Sequence, residues 1–158
     1  MPVWSHLHPA VIHFPVVLLL VVPAILVLGL LWPAQRKGLH ACALGFLLLG
    51  TALAGLAVVT GLAVPVPARP SVELLETLRT HERLAKGTLL AFAVLALAQA
   101  LLQALTCLPR TRLSRGVVLI LQVAWLLADA GATLPLLRTA HLGGRLVHEL
   151  DIHSQTRR

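Results

Sequence analysis

Four apolar runs divide the chain. Ala10 to Trp32 is broken only by His13 and two prolines, and Ala41 to Val64 carries no charge at all. Leu84 to Cys107 has Lys86 near its start and Gln99 and Gln103 further on, while Val117 to about Ala140 contains Gln122, Asp129 and Arg138. Each run has about 20 residues or more, enough at 1.5 Å per residue to cross a hydrocarbon core of ~30 Å. No candidate strands share the hydrogen bonding, so each segment must satisfy its own backbone, and only a helix does that in lipid. The pattern predicts an all-α, polytopic membrane protein: one antiparallel bundle of four transmembrane helices. As a single domain over residues 1–158, its helices are expected at about 9–32, 40–64, 72–107 and 115–148, with a tail at 149–158.

Between the second and third runs the pattern changes. Val64-Pro-Val-Pro-Ala-Arg-Pro70 resists helix, because proline has no amide hydrogen and restrains the residue before it. From Ser71 to Arg83 the sequence is amphipathic, with Leu74, Leu75 and Leu78 on one side. Two forms are expected for it: the first turns of helix 3 projecting from the membrane, or a short helix lying on its surface.

Composition agrees with this pattern and removes other classes. Of 158 residues, 58% are hydrophobic and 12% charged, against about 25% charged in soluble domains. The net charge of +7 sits largely on arginines in short connections, which reads as membrane topology rather than a nucleic-acid surface. Cys42 and Cys107 lie far apart in no CxxC pattern, so neither a disulfide scaffold nor a zinc module is expected. The connections 33–40 and 108–116 carry Arg36, Lys37, Arg110, Arg112 and Arg115 with no acid, which places them in the cytoplasm. Arg69, Arg79, Arg83 and Arg138 on the other side are spread out and mixed with Glu73, Glu76 and Glu82. No Lys or Arg precedes helix 1, which disfavours a secretory signal peptide and eases outward transfer of the N-terminus. Both termini are therefore expected outside, on the face opposite the cytoplasm.

The eight histidines gather at one face. His6, His8 and His13 open helix 1, His81 precedes the apolar part of helix 3, and His141 and His148 close helix 4. His40 alone belongs to the opposite face, and His153 sits in the tail. Imidazole is a common metal ligand and a standard axial ligand of haem iron. Helices 1 and 3 are diagonal in an up-down bundle, so His13 and His81 are the expected pair for a b-type haem, with His8 and His141 as substitutes. Gly143-Gly144 and the row Gly50, Ala54, Ala57, Gly61 would leave room for a flat macrocycle, and Arg138 or Arg145 would meet its propionates. His141 and His148, seven apart, share a helical face and fit a replacement ligand or a second site. The bland alternative is interfacial histidines and small residues that only let helices pack closely. His6-x-His8, with His13 and His141, would instead suit copper or zinc. A lone His40 excludes a second bis-histidine haem on its side.

A second polar set joins helices 3 and 4. Gln99, Gln103 and Gln122 lie at similar depths, which predicts hydrogen bonds between helices. Asp129 lies deeper, where a carboxyl acts as a proton carrier or counter-charge, or stays protonated and bonds to Thr133 or to a carbonyl freed by Pro135. The bonded, neutral form is the expectation. Nothing resembles a nucleophile with its base, a phosphate loop or paired catalytic carboxylates, which removes hydrolase and kinase chemistry.

The opening His6-Leu-His8-Pro9-Ala-Val-Ile-His13-Phe14-Pro15 resembles the HP-x-x-x-HFP start of a bacterial membrane family, domain of unknown function 2231. Thr139-Ala-His141-Leu-Gly143-Gly144-Arg-Leu146-Val147-His148 is similar to its terminal G-x-LGG-x-LVY segment, and His81 also fits. Ala140 replaces a glycine of that pattern, and Glu149-Leu-Asp-Ile replaces a glycine-rich ending. The resemblance implies a four-helix inner-membrane protein whose relatives include some joined to or beside c-type cytochromes. It favours a haem b protein exchanging electrons with a c-type cytochrome or membrane quinol. The alternatives are a non-catalytic accessory subunit of a larger respiratory or photosynthetic complex, and a copper or zinc protein.

Overall fold

The computed structural model describes His8, residues 11–107 and residues 114–150. Helix α1 spans His13–Leu31, a 3-10 turn covers Pro33–Gln35, and α2 spans Arg36–Leu62. Helices α3 (Val72–Cys107) and α4 (Arg115–His148) complete the order, with no strand among the described residues. All four are long and apolar enough to cross a membrane. The protein is an all-α membrane bundle.

Local chemistry explains the ends. The Ser71 hydroxyl accepts the Leu74 amide hydrogen at 3.1 Å just after Pro70, capping α3. The Ser114 hydroxyl accepts from Val117 in the same way at 3.4 Å to start α4. Pro33 starts the 3-10 turn, where its missing amide hydrogen costs nothing. The helix resumes at once, so α2 begins at Arg36 and not near residue 40. Arginine and lysine are good helix formers, so the basic connection folds into the first turn of α2. Pro23 and Pro135 lie inside α1 and α4.

Each helix packs on its neighbours in sequence, and α1 closes the ring on α4, which leaves α1/α3 and α2/α4 as diagonals. The core runs through Leu19, Val22 and Leu26 of α1, Ala43 and Leu47 of α2, Phe92 and Ala96 of α3, and Leu136 of α4. Lipid tails are as apolar as leucine, so this core is held by close packing and not by expulsion of water. The tightest seam is α1 on α2, where Leu19 lies directly over Gly50. Outward leucines such as Leu97 and Leu134 are about 70% exposed and face where the acyl chains lie.

The helices differ in length. At 1.5 Å per residue α1 is about 29 Å long, whereas α3 and α4 exceed ~50 Å. The first turns of α3 and the last of α4 pair beyond the bundle: Leu74 and Leu146 are buried against each other with Leu78 and Leu150 beside them. Arg145 clasps the pair, donating to Glu73 and Glu149 at 2.8 Å each. The amphipathic segment from Ser71 is therefore part of α3, and no separate surface helix forms.

Candidate functional site: two polar levels in the bundle

Histidines enter the interior at two levels, one near each end. At the end shared by the start of α1 and the close of α4, the His8 ring bonds to the hydroxyl of Thr60 on α2, 3.1 Å from Nδ1. That hydroxyl also lies 2.9 and 3.1 Å from the carbonyls of Leu56 and Ala57. With its one proton directed to either carbonyl, it accepts from the imidazole, which then donates from Nδ1. On α3, His81 Nδ1 lies 3.0 Å from the carbonyl oxygen of Thr139 on α4. A carbonyl only accepts, so here too Nδ1 donates and the neutral ring has its lone pair on Nε2. Each ring rests on a glycine: a Cβ on Gly61 would meet His8 Cε1 at 2.9 Å, and one on Gly143 would meet His81 Cε1 at 3.3 Å.

The other candidates lie elsewhere. His13 is exposed, and with Phe14, Val17 and Leu18 it lines a shallow outer groove of about 270 Å³. No hydrogen bond joins it to His81, which is turned towards α4. His141 and His148 are exposed on α4, and Gly144 has open space beside it. Arg145 is engaged by its two glutamates, while Arg138 is exposed. His6 and His153 lie outside the described residues. The small-residue row on α2 gives no room to a macrocycle, because Leu19 fills the space at Gly50 and His8 that at Gly61. Those glycines exist for close approach of α1.

At the opposite level His40 is the centre. Gln103 donates its amide to the His40 carbonyl at 2.7 Å, and Gln99 lies 3.5 Å from the same oxygen. From α4, the Gln122 amide donates to His40 Nε2 at 2.9 Å. Gly29 of α1 backs the ring, 3.4 Å from where its own Cβ would be. All four helices meet at this histidine. The three glutamines bond between helices as their depths predict, but through His40 rather than to one another. The sequence pattern predicts His40 at the boundary between the 33–40 connection and a helix from about 40. Because α2 starts at Arg36, His40 lies one turn inside, level with Gln122.

Asp129 is fully buried, and neither carboxyl oxygen has a hydrogen-bond partner. The expected bond to Thr133 does not form, because that hydroxyl donates to the Ala130 carbonyl at 2.7 Å. Among the described residues, no three His, Cys, Asp or Glu side chains gather as a metal cluster.

A family model described as Predicted membrane protein (DUF2231) matches residues 5–156 of the chain. No curated protein and no solved structure matches it.

Proposed function

As the chain belongs to the DUF2231 family of predicted membrane proteins, we propose that it is a small haem-binding electron carrier of the membrane, ligated through imidazole at the His8–His81 end. The observation that carries this reading is the tautomer of His81. A histidine that ligates a metal through Nε2 has its ring oriented by an Nδ1–H bond to a carbonyl or carboxylate. His81 has that bond to Thr139 and lies against a glycine. His8 is held in the same tautomer by Thr60 on another helix, so it replaces His13 as the favoured second ligand.

The donor set favours haem over copper or zinc, since haem needs one or two imidazoles and a closed zinc site needs about four ligands. Bound haem supplies a one-electron iron couple; the chain's part is to fix the rings and keep their proton on Nδ1. Arg138, exposed at this end, is the cation for a propionate. A c-type cytochrome or membrane quinol is the partner this chemistry calls for.

The test is a reduced-minus-oxidised visible spectrum of detergent-purified protein from haem-replete cells. A b-type spectrum is expected, lost in His81→Ala and shifted or weakened in His8→Ala, with His13→Ala close to wild type. A colourless, pyridine-haemochrome-negative protein would overturn the reading. That result would favour an accessory subunit, which has its own supporting observation. An open apolar groove of about 350 Å³ between α3 and α4, lined by Leu101, Leu105, Leu121 and Trp125, suits a neighbouring helix.

The same reading places the His8–His81 end in the periplasm of the inner membrane, on the strength of the basic turn at Arg36 and Lys37. Gly38 has no atom within 4 Å of an added Cβ, so cysteine fits there. In a background without Cys42 and Cys107, an impermeant maleimide should label Ser154→Cys on intact cells and spare Gly38→Cys. The reverse labelling would invert the molecule.

A further inference from the structure

Among the described residues, seven side chains carry buried polar atoms with no hydrogen-bond partner: Arg36, Thr51, Thr88, Gln99, Gln122, Trp125 and Asp129. A buried polar atom without a partner costs on the order of 1–3 kcal/mol, so a set of them calls for an explanation such as bound water.

The last six form a column. His40 ties Gln99 and Gln122 to one level. Counting 40 to 51 on α2, 99 to 88 on α3 and 122 to 133 on α4 puts Thr51 and Thr88 at one depth, roughly 16 Å further along at 1.5 Å per residue. Asp129 lies between, about 10 Å from the His40 level. Gln122, Trp125 and Asp129 share one face of α4 at spacings of three and four. The column therefore reaches from the His40 cluster through the middle of the membrane towards the end that holds His81.

Asp129 is the sole ionisable group in that middle stretch. From the packed elements, α1 presents no ionisable residue between Phe14 and Leu31, α2 none between Cys42 and Leu62, and α3 none between Gly87 and Thr106. At its level the same register places Val22, Leu47 and Phe92, all fully buried. With no counter-charge in reach, this carboxyl is suited to take up a proton and pass it on.

We propose that the bundle conducts protons, with Asp129 as the central carrier between the His40–Gln99–Gln122 level and Thr51 and Thr88, and with water entering past Val22, Leu47 and Phe92 to reach it. A proton arriving through water at the His40 level adds to the Asp129 carboxylate, and the acid then gives a proton to water on the threonine side. One proton crosses per cycle, nothing is oxidised or reduced, and charge is balanced by a counter-ion moving separately. The path needs no haem and stands apart from the electron-carrier reading.

The experiment uses full-length protein in vesicles holding a pH-sensitive dye, with a potassium gradient and valinomycin to drive proton entry. Wild-type vesicles should acidify faster than protein-free ones. Asp129→Asn should remove about nine-tenths or more of the protein-dependent rate, the scale of loss expected when a proton-transfer group is deleted, and Asp129→Glu should restore part of it. Equal rates in wild-type and empty vesicles, or an undiminished rate in Asp129→Asn, would overturn the proposal. If Asp129→Asn fails to fold, infrared spectra of the wild type decide. A protonated-carboxyl C=O band that shifts promptly in D2O supports the path, and one that is absent or does not exchange overturns it.

Discussion

Gly50→Val should be the most damaging single change in the helices. An added Cβ alone would lie 2.8 Å from Cγ and Cδ2 of Leu19 and 3.3 Å from Cβ of Leu18. Leu19 is fully buried in the main core, so any rotation that clears the new side chain disturbs its packed neighbours. Two branched methyls at this point would force α1 away from α2. Overpacking of this kind costs about 1–3 kcal/mol in soluble cores, and close helix approach is the main source of stability in lipid. The expected result is a clear loss of folded protein in detergent unfolding curves. Gly45→Val is the control: nothing lies within 4 Å of its Cβ, and it should unfold like wild type. Combining Gly50→Val with Leu19→Ala should recover part of the loss, as a double-mutant cycle between touching residues does. Equal stability of Gly50→Val and Gly45→Val would mean the seam is not tight.

The second large effect is expected at His40, and it should be selective. His40→Ala removes the acceptor of the Gln122 amide but leaves the backbone carbonyl that serves Gln103 and Gln99. The α2–α3 contact therefore survives while α4 loses its polar hold. Gln122 is only 8% exposed, so its amide is stranded. A stranded buried group costs about 1–3 kcal/mol, although hydrogen bonds between membrane helices average only ~0.6 kcal/mol. A loss near 1 kcal/mol is the expected outcome. Adding Gln122→Leu to His40→Ala should then cost little more, because the amide that suffers is gone. Additive losses for the two substitutions would show that the ring and the amide act separately.

The four helices were legible because each apolar run is long enough to span a bilayer, and the level shared by Gln99, Gln103 and Gln122 followed from counting along antiparallel rods. Azimuth was not legible. In water a helix reveals its inner face by being polar on the other side, but a lipid-bathed helix is apolar all round. His13 and His81 were therefore placed at the right end with no means of telling that one turns outward and the other towards α4. His40 was lost for a different reason. Its neighbours Arg36 and Lys37 look like loop, yet they continue a helix after Pro33 and carry the histidine inside. Asp129 shows the reverse case. Its depth was plain from sequence, but that Thr133 would spend its hydroxyl on its own helix depends on a side-chain rotamer.

Helix α1 is the shortest of the four and ends in His13 on one side and Trp32 just beyond the other. Its length nearly equals the hydrocarbon thickness of an average bilayer, whereas α3 and α4 have many residues to spare. A change in membrane thickness therefore falls on α1 alone. In a thicker bilayer the long helices stay spanned, while His13 and Trp32 are drawn below the headgroups. A short span is met by local thinning of the lipid or by recruiting a neighbouring helix, and here either response is centred on the edge that α1 occupies.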